Sequence, residues 1–173
     1  MSAPTAALSD GVENGGDGAT SGEDGSLAIA FERSAARFGD RIAVASPSWT
    51  ATYAELDAAA NRLARAIIAH GGAPGDRIAV LMRHDTPQIA ALFAVFKAGR
   101  IVVALNPADP PARLRERLID AGAQLVVSDR ATAEIAGSVV ESRQRLVLFE
   151  DIDVLNELPP LVLDLLLSWA IQW

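Results

Sequence analysis

Four short runs of apolar, β-branched residues recur along the chain, each separated from the next by a helical pattern. They are Arg77–Met82 (RIAVLM), Ile101–Leu105 (IVVAL), Gln124–Ser128 (QLVVS) and Leu146–Phe149 (LVLF). Apolar runs of this length without alternation are the pattern of strands buried on both faces. Between them, Pro87 to about Ala98, Pro111–Gly122 and a weaker stretch from about Ala131 to Val140 read as helices. An order of strand, helix, strand, helix, strand, helix, strand implies parallel pairing through crossovers of one hand. The fold class expected is therefore α/β, with helices flanking a mainly parallel sheet.

The punctuation supports those boundaries. Thr52 and Glu55 have capping-box spacing. Behind them Leu56, Ala60, Leu63 and Ile67 recur at helical intervals until Gly71-Gly72. Thr86-Pro87 reads as an N-cap followed by proline in the first turn, and Gly99 as that helix's stop. Upstream, Leu27–Phe38 reads as an amphipathic helix ending at Gly39. Arg41–Ala45 (RIAVA) reads as a short buried strand, Pro47-Ser48 as a turn, and Trp49 as the start of a second extended piece. No repeat of solenoid period is visible.

The two ends differ from this body. Residues 1–26 contain Asp10, Glu13, Asp17, Glu23 and Asp24, no Lys or Arg, and mostly Gly, Ser and Ala. That composition cannot bury enough apolar surface to offset its chain entropy, so a disordered leader is expected. It also lacks the basic start and apolar run of a secretory signal. The leader carries −5 of the formal net charge of −7, leaving −2 for the rest. An acidic chain is a poor partner for nucleic acid. Residues 151–173 form a Leu/Trp-rich tail. After Leu158-Pro-Pro come thirteen residues that hold Asp164, Trp169 and Trp173. This run is shorter than the ~20 residues of a membrane span. It reads either as an apolar anchor for a partner or as translation of a shifted frame.

The chain has no cysteine. Disulfides and thiolate metal sites are thereby excluded, which fits a cytoplasmic protein. His70 and His84 do not have the spacing of a helical zinc motif. No Ser/His/Asp or Cys/His constellation is present for nucleophilic catalysis. No catalytic, cofactor-binding or metal-binding residue is therefore assigned. The residues weighed and set aside are few. His84-Asp85 follows a strand's carboxyl end, where α/β proteins bind ligands, and reads first as a solvated turn. Lys97 reads as a cation at a helix carboxyl end, and His70 as either such a cation or a neutral surface group. Gly71-Gly72-Ala73-Pro74-Gly75 reads as a turn, since it lacks the spacing of a phosphate loop. Asn106, Asp109 and Arg113 flank a proline turn, where Asp109 is placed to cap the next helix.

Four collinear blocks carry a family resemblance. TYAELDAAAN (Thr52–Asn61) with RLARAIIAHG behind it resembles the first core motif of adenylation domains of peptide synthetases and acyl-CoA ligases. PGDRIAVL (Pro74–Leu81) resembles the strand that follows, and FKAGRIVVALNPADPPARL (Phe96–Leu114) the second core motif. QLVVSD (Gln124–Asp129) is similar to the next strand. In the second motif, Val102, Val103, Ala104 and Asn106 stand where peptide synthetases have Tyr-Val-Pro and Asp, and Asn106-Pro107 looks closer to acyl-CoA ligases.

The resemblance implies the amino-terminal α/β subdomain of the adenylate-forming fold over residues 27–150. It implies a family that uses ATP and magnesium to convert a carboxylic acid into an acyl-adenylate and then passes the acyl group to a thiol. The family's third motif, a Ser/Thr/Gly-rich loop ending in Pro-Lys-Gly, has no counterpart in these 173 residues. The expectation is accordingly a truncated adenylation domain, inactive alone and binding no cofactor by itself. Its expected partner is the missing carboxy-terminal part of a synthetase, or a second copy of itself. The alternative is a non-catalytic interaction module that docks through its apolar tail.

Overall fold

The computed structural model describes residues 26–70 and 72–155, with side chains to residue 152. The leader before Ser26, Gly71 and the Leu/Trp run from residue 156, with Trp169 and Trp173, lie outside the described residues.

The chain begins with helix α1 (Leu27–Phe38), then strands β1 (Ile42–Ala45) and β2 (Thr50–Thr52) and helix α2 (Tyr53–Ala69). Next come β3 (Arg77–Leu81), α3 (Thr86–Lys97), β4 (Ile101–Leu105), α4 (Pro111–Ala121), β5 (Leu125–Ser128), α5 (Ala133–Val139) and β6 (Arg145–Leu148). A 3-10 turn at Phe149–Leu155 follows.

Strands β3 to β6 form one sheet in the order β4-β3-β5-β6, and every neighbouring pair is parallel. Side-chain alternation along β3 sorts the core into two layers. Ile78 and Val80 face α2 and α3, together with Leu125 and Val127 of β5. Ala79 and Leu81 face α4 and α5, with Val126 of β5. The sheet is thus sandwiched between two helix layers. Ile152 in the 3-10 turn is 4% exposed and joins the α2/α3 side.

The crossovers explain which helix lies where. The step from β3 to β4 runs in one direction across the sheet. The step from β4 to β5 reverses, passing over β3. A fixed right-handed crossover then requires the connecting helices to lie on opposite faces. That is observed, with α3 on one side and α4 and α5 on the other.

Two of the strands expected to be buried are sheet edges. In β4, Ile101 is 49% exposed and only Leu105 is fully buried. Strand β6 has one fully buried residue, Val147. An edge strand reads as apolar as a central one in sequence, because the covering helices lie above and below it and not beside it. The RIAVA run also differs from expectation. It is not part of the parallel sheet, and pairs antiparallel with β2 in a separate hairpin, where its burial is only partial. This hairpin and α1 pack outside the α2/α3 layer around Phe31, Ala51, Leu56, Ala59 and Ala90. Phe31 stacks on Phe93 with ring centroids 3.9 Å apart.

Helix ends follow local chemistry. The Thr52 hydroxyl accepts from the Glu55 N–H (3.2 Å), and the Glu55 carboxylate accepts from the Thr52 N–H (2.9 Å). Donation to that carboxylate from the Thr52 N–H, and then from the Thr52 hydroxyl at 3.1 Å, holds the Glu55 pKa below its usual value. The cap of α3 is Asp85, one residue earlier than expected, which puts Thr86 and Pro87 in the first turn. Helix α4 stops at Gly122, whose φ of 63° lies in the left-handed region. The expected cap of α4 by Asp109 is not made. Pro110 occupies the cap position and the Asp109 carboxylate pairs with Arg117 at 2.9 Å.

Leu63 is fully enclosed in the α2/α3 layer. Leu63→Ala should cost about 2–5 kcal/mol. Ile42→Ala, at a hairpin position 65% exposed, should cost under ~0.5 kcal/mol. Urea unfolding midpoints of the two variants check this.

Candidate functional site at the strand carboxyl ends

Reversal of winding direction defines a place. The loop after β3 leads to α3 on one face, and the loop after its neighbour β5 leads to α5 on the other. In open α/β sheets the crevice between two such strands, outside their carboxyl ends, is where ligands bind. Here it lies between Leu81-Met82 and Ser128-Asp129.

On the β3 side stands the His84-Asp85 pair singled out from sequence. Both residues reach solvent, and both are held by neighbours. His84 Nδ1 donates to Gln88 Oε1 at 2.9 Å, a role set by the acceptor it faces. Gln88 Nε2 in turn donates to the Met82 carbonyl at 3.3 Å. The Asp85 carboxylate accepts from the Thr86 N–H at 2.8 Å. The Ser46 hydroxyl, then that of Ser48, then the Thr86 N–H stabilise the ionised form and lower the Asp85 pKa. Thr86 is completely buried. Its hydroxyl donates to the Trp49 carbonyl at 2.7 Å and lies 2.8 Å from Ser46 Oγ. The tip of the β1-β2 hairpin is thereby pinned over the start of α3.

On the β5 side is a polar cluster that sequence reading missed. The buried Ser128 hydroxyl donates to the Leu81 carbonyl (3.1 Å), so it bridges the two strands at the crevice. Thr132 lies 2.8 Å from Ser128 and donates its hydroxyl to Asp129 Oδ1 at 2.6 Å. Asp129 Oδ1 also accepts the Thr132 N–H at 2.8 Å. The signal available was Ser128-Asp129 with Thr132 three residues on, the spacing of a side-chain-capped turn. These groups satisfy one another, so the mouth of the crevice is bridged by the chain's own hydroxyls.

Asn106 sits at the carboxyl end of β4, where its Oδ1 accepts from the Ala108 N–H at 3.0 Å and shapes the proline turn. Topology therefore brings His84, Asp85, Asn106 and Asp129 to one edge of the sheet. Arg113 is exposed near the start of α4. The remaining candidates lie at the opposite edge. His70 is the C-cap of α2, with Nδ1 2.8 Å from the Ala66 carbonyl. Gly72 and Gly75 have φ of 91° and 82°, and Ala73 N–H donates to Asp76 (2.7 Å), which makes this a turn.

Lys97, the chain's single lysine, does more than complement a helix end. Its side chain is 4% exposed and pairs with both Glu32 of α1 and Asp57 of α2. The contact with Asp57 Oδ1 is 3.0 Å, while Asp57 Oδ2 accepts from Asn61 at 2.9 Å. One cation thus ties three helices, and it is not free for a ligand. Among the described residues no group of three or more His, Asp or Glu is placed to hold a metal. No helix among them is long and apolar enough to cross a membrane.

With this geometry in place, the similarities to known proteins can be read. The family model of AMP-binding enzymes matches residues 31–164. The chain belongs to that family. Phosphinothricin tripeptide synthetase PhsC of Streptomyces viridochromogenes is 38% identical over 121 residues, covering 70% of this chain and 11% of that protein. The antimetabolite synthetase AmbB of Pseudomonas aeruginosa is 37% identical over 128 residues, covering 74% of this chain and 10% of that protein. Among solved structures, the nonribosomal peptide synthetase FmoA3 superposes with a TM-score of 0.67 at 26% identity, over 72% of this chain and 13% of that one. The amino-terminal subdomain of NpsA from Klebsiella oxytoca shares the fold with a TM-score of 0.64 at 24% identity, over 76% of this chain and 33% of that one. The chain spans about a tenth of the length of these curated relatives. The α/β fold expected from sequence is that of the amino-terminal subdomain of adenylation domains.

Two outcomes test the site's wiring. Lys97→Met should cost about 2 kcal/mol, below the ~3–5 kcal/mol of a fully buried pair, because Glu32 is 45% exposed; urea denaturation reads it. Asp85 has a folded-state pKa below the ordinary carboxylate value. Its contribution is present above the unfolded pKa of ~3.9 and is lost as pH falls through the lower folded value. Asp85→Asn should flatten the acid limb of a plot of unfolding midpoint against pH.

Proposed function

We propose that this chain is the front portion of an adenylation domain whose complete form activates a carboxylic acid with ATP and magnesium in the cytoplasm. There the acid's carboxylate oxygen bonds to the α-phosphorus of ATP and pyrophosphate leaves. The thiol sulfur then bonds to the acyl carbon, its proton is lost, and AMP leaves. On this reading the 173 residues by themselves are inactive, and the rest of the site comes from a further, carboxy-terminal segment.

The observation that carries the proposal is the family match over residues 31–164, seen together with the chemistry of the strand carboxyl ends. FmoA3 has been solved with AMPPNP and with α-methyl-L-serine-AMP. The described residues of this chain do not by themselves suit such a nucleotide. The groups at the strand carboxyl ends include Asp85 and Asp129, whose carboxylates repel phosphate, and the hydroxyls of Ser128 and Thr132 already donate to the Leu81 carbonyl and to Asp129. The single lysine is committed to Glu32 and Asp57. A phosphate-holding loop from outside these residues would complete the site.

A second reading has one observation in its favour. The outer edge of β4 pairs with no described strand, and Ile101 beside it is exposed. Such an edge is a template for another chain. In this reading the Leu/Trp tail and that edge dock a separately encoded remainder or a second copy, and the module itself is non-catalytic.

The purified chain should give no ATP–pyrophosphate exchange above background, and its Kd for ATP with magnesium should be weaker than about 1 mM, or roughly −4 kcal/mol. Saturable binding tighter than that would overturn the fragment reading in favour of a free-standing nucleotide-binding domain. Gel filtration separates the second reading, because a concentration-independent monomer with exchange-protected tail amides would remove it.

A further inference from the structure

At the opposite edge of the sheet, where the strands begin, the surface opens into a cavity of about 320 Å³. Its walls are the turn after α2, the starts of β3 and β5, and the approach to β6. The charged groups are Arg77, Arg143 and Arg145 against a single carboxylate, Asp76, so three positive charges less one negative leave +2. Asp76 is already engaged. Its Oδ2 accepts from the Ala73 N–H at 2.7 Å, and it counters the buried Arg100 guanidinium across the turn. Arg145 donates to the His70 carbonyl, which leaves it other N–H groups. Arg143 pairs with Glu141 at 3.3 Å, and both are exposed. Among the described residues no carboxylate pairs with Arg77 or Arg145.

The chain carries the complementary charge at its own amino terminus. Residues 1–25 hold Asp10, Glu13, Asp17, Glu23 and Asp24 with no basic residue. We propose that the arginine-lined cleft at the amino ends of β3, β5 and β6 is the docking site of this acidic leader.

Reach permits it. Twenty-five residues at ~3.3 Å each extend about 80 Å, whereas a body of this size has a radius of gyration of roughly 14 Å. Magnitude favours a tethered segment over a free small anion. The guanidinium groups are exposed, so each pairing is individually weak and screened by salt. A single free oxyanion gains little from them. A tethered strand of carboxylates meets all three at a millimolar effective concentration.

The absence of cysteine makes the test direct. Gly15→Cys in the full chain takes a single nitroxide label, and the arginine side-chain Nε–H signals report distance from it. The expected result is strong paramagnetic loss of the Arg77, Arg143 and Arg145 signals, with the exposed Arg113 on α4 unaffected. The loss should disappear when the leader acids are replaced by amides (D10N, E13Q, D17N, E23Q, D24N), and again in ~1 M salt, where the screening length is about 3 Å. These substitutions touch no residue of the folded body, so all forms are compared on the same fold. Equal loss at Arg113, or loss that survives the amide substitutions, overturns the proposal. So does saturable capture of inorganic phosphate below about 1 mM with arginine signals insensitive to the leader, an outcome that marks the cleft as a small-anion site.

Discussion

Both faces of strand β3 have to be covered, and the rest of the fold follows from that. Ile78 and Val80 need one apolar layer, and Ala79 and Leu81 need another on the reverse side. A parallel pairing cannot be closed by a tight turn, so each strand must be followed by a crossing segment long enough to return to the same edge. Those segments are the helices that supply the two layers. The small residues on α2 and α3, Ala60, Ala64, Ala91 and Ala94, are all buried, and they let the helices approach each other and the sheet closely. These four alanines thus stand where close packing uses them.

Coverage of both faces also decides where a site can form. To bury both sides, the winding must reverse once, and the reversal falls between β3 and β5. The loops that leave these two strands diverge to opposite faces and leave a crevice. In this chain the Ser128 hydroxyl reaches across it to the Leu81 carbonyl. The same hydrogen bonds that satisfy a buried strand end therefore hold the crevice in shape. On its other rim, Thr86 and Ser46 fasten the hairpin tip to α3. The peripheral hairpin is thus fixed at the functional edge by side-chain contacts, independently of the main sheet.

What sequence could show tracks the range of the interaction concerned. Caps and stops that depend on three or four residues were legible, as at Thr52/Glu55 and Gly122. The α/β class was legible because the apolar periodicity switches with each element. Strand position was not. IVVAL at the edge and RIAVL beside it look alike, and only the pairing order β4-β3-β5-β6 separates them. RIAVA reads as a buried strand for the same reason, because a short apolar run reveals neither its partner strand nor how far it is covered. Asp109 illustrates competition between local and longer reach. It stands where a cap would, but an arginine eight residues on, two turns into α4, offers a charged partner, and Pro110 takes the cap position. Lys97 was legible as a helix-end cation, while its two carboxylate partners come from helices 65 and 40 residues earlier in sequence.

Carboxylates at helix starts and arginines at helix ends fall at opposite edges of the sheet, and the helices account for it. In a parallel α/β layer each helix runs against its strands, so helix amino ends gather at strand carboxyl ends and helix carboxyl ends gather where strands begin. Helix dipoles favour anions at the first edge and cations at the second. The chain follows that rule. Asp85 caps α3 and Asp129 precedes α5 at one edge. Arg77, Arg100, Arg143 and Arg145 stand at the other, where α2 and α4 end at His70 and Gly122. Arg145 and Arg100 donate directly to carbonyls of the turn that ends α2, those of His70 and Gly72. The basic cleft is therefore first a consequence of stabilising helix ends. Because the guanidinium group has five donors and a carbonyl takes only one or two, Arg145 keeps donors beyond the one given to the His70 carbonyl. A fold that needs cations at one edge thus acquires an anion-attracting surface there, on a body otherwise close to neutral.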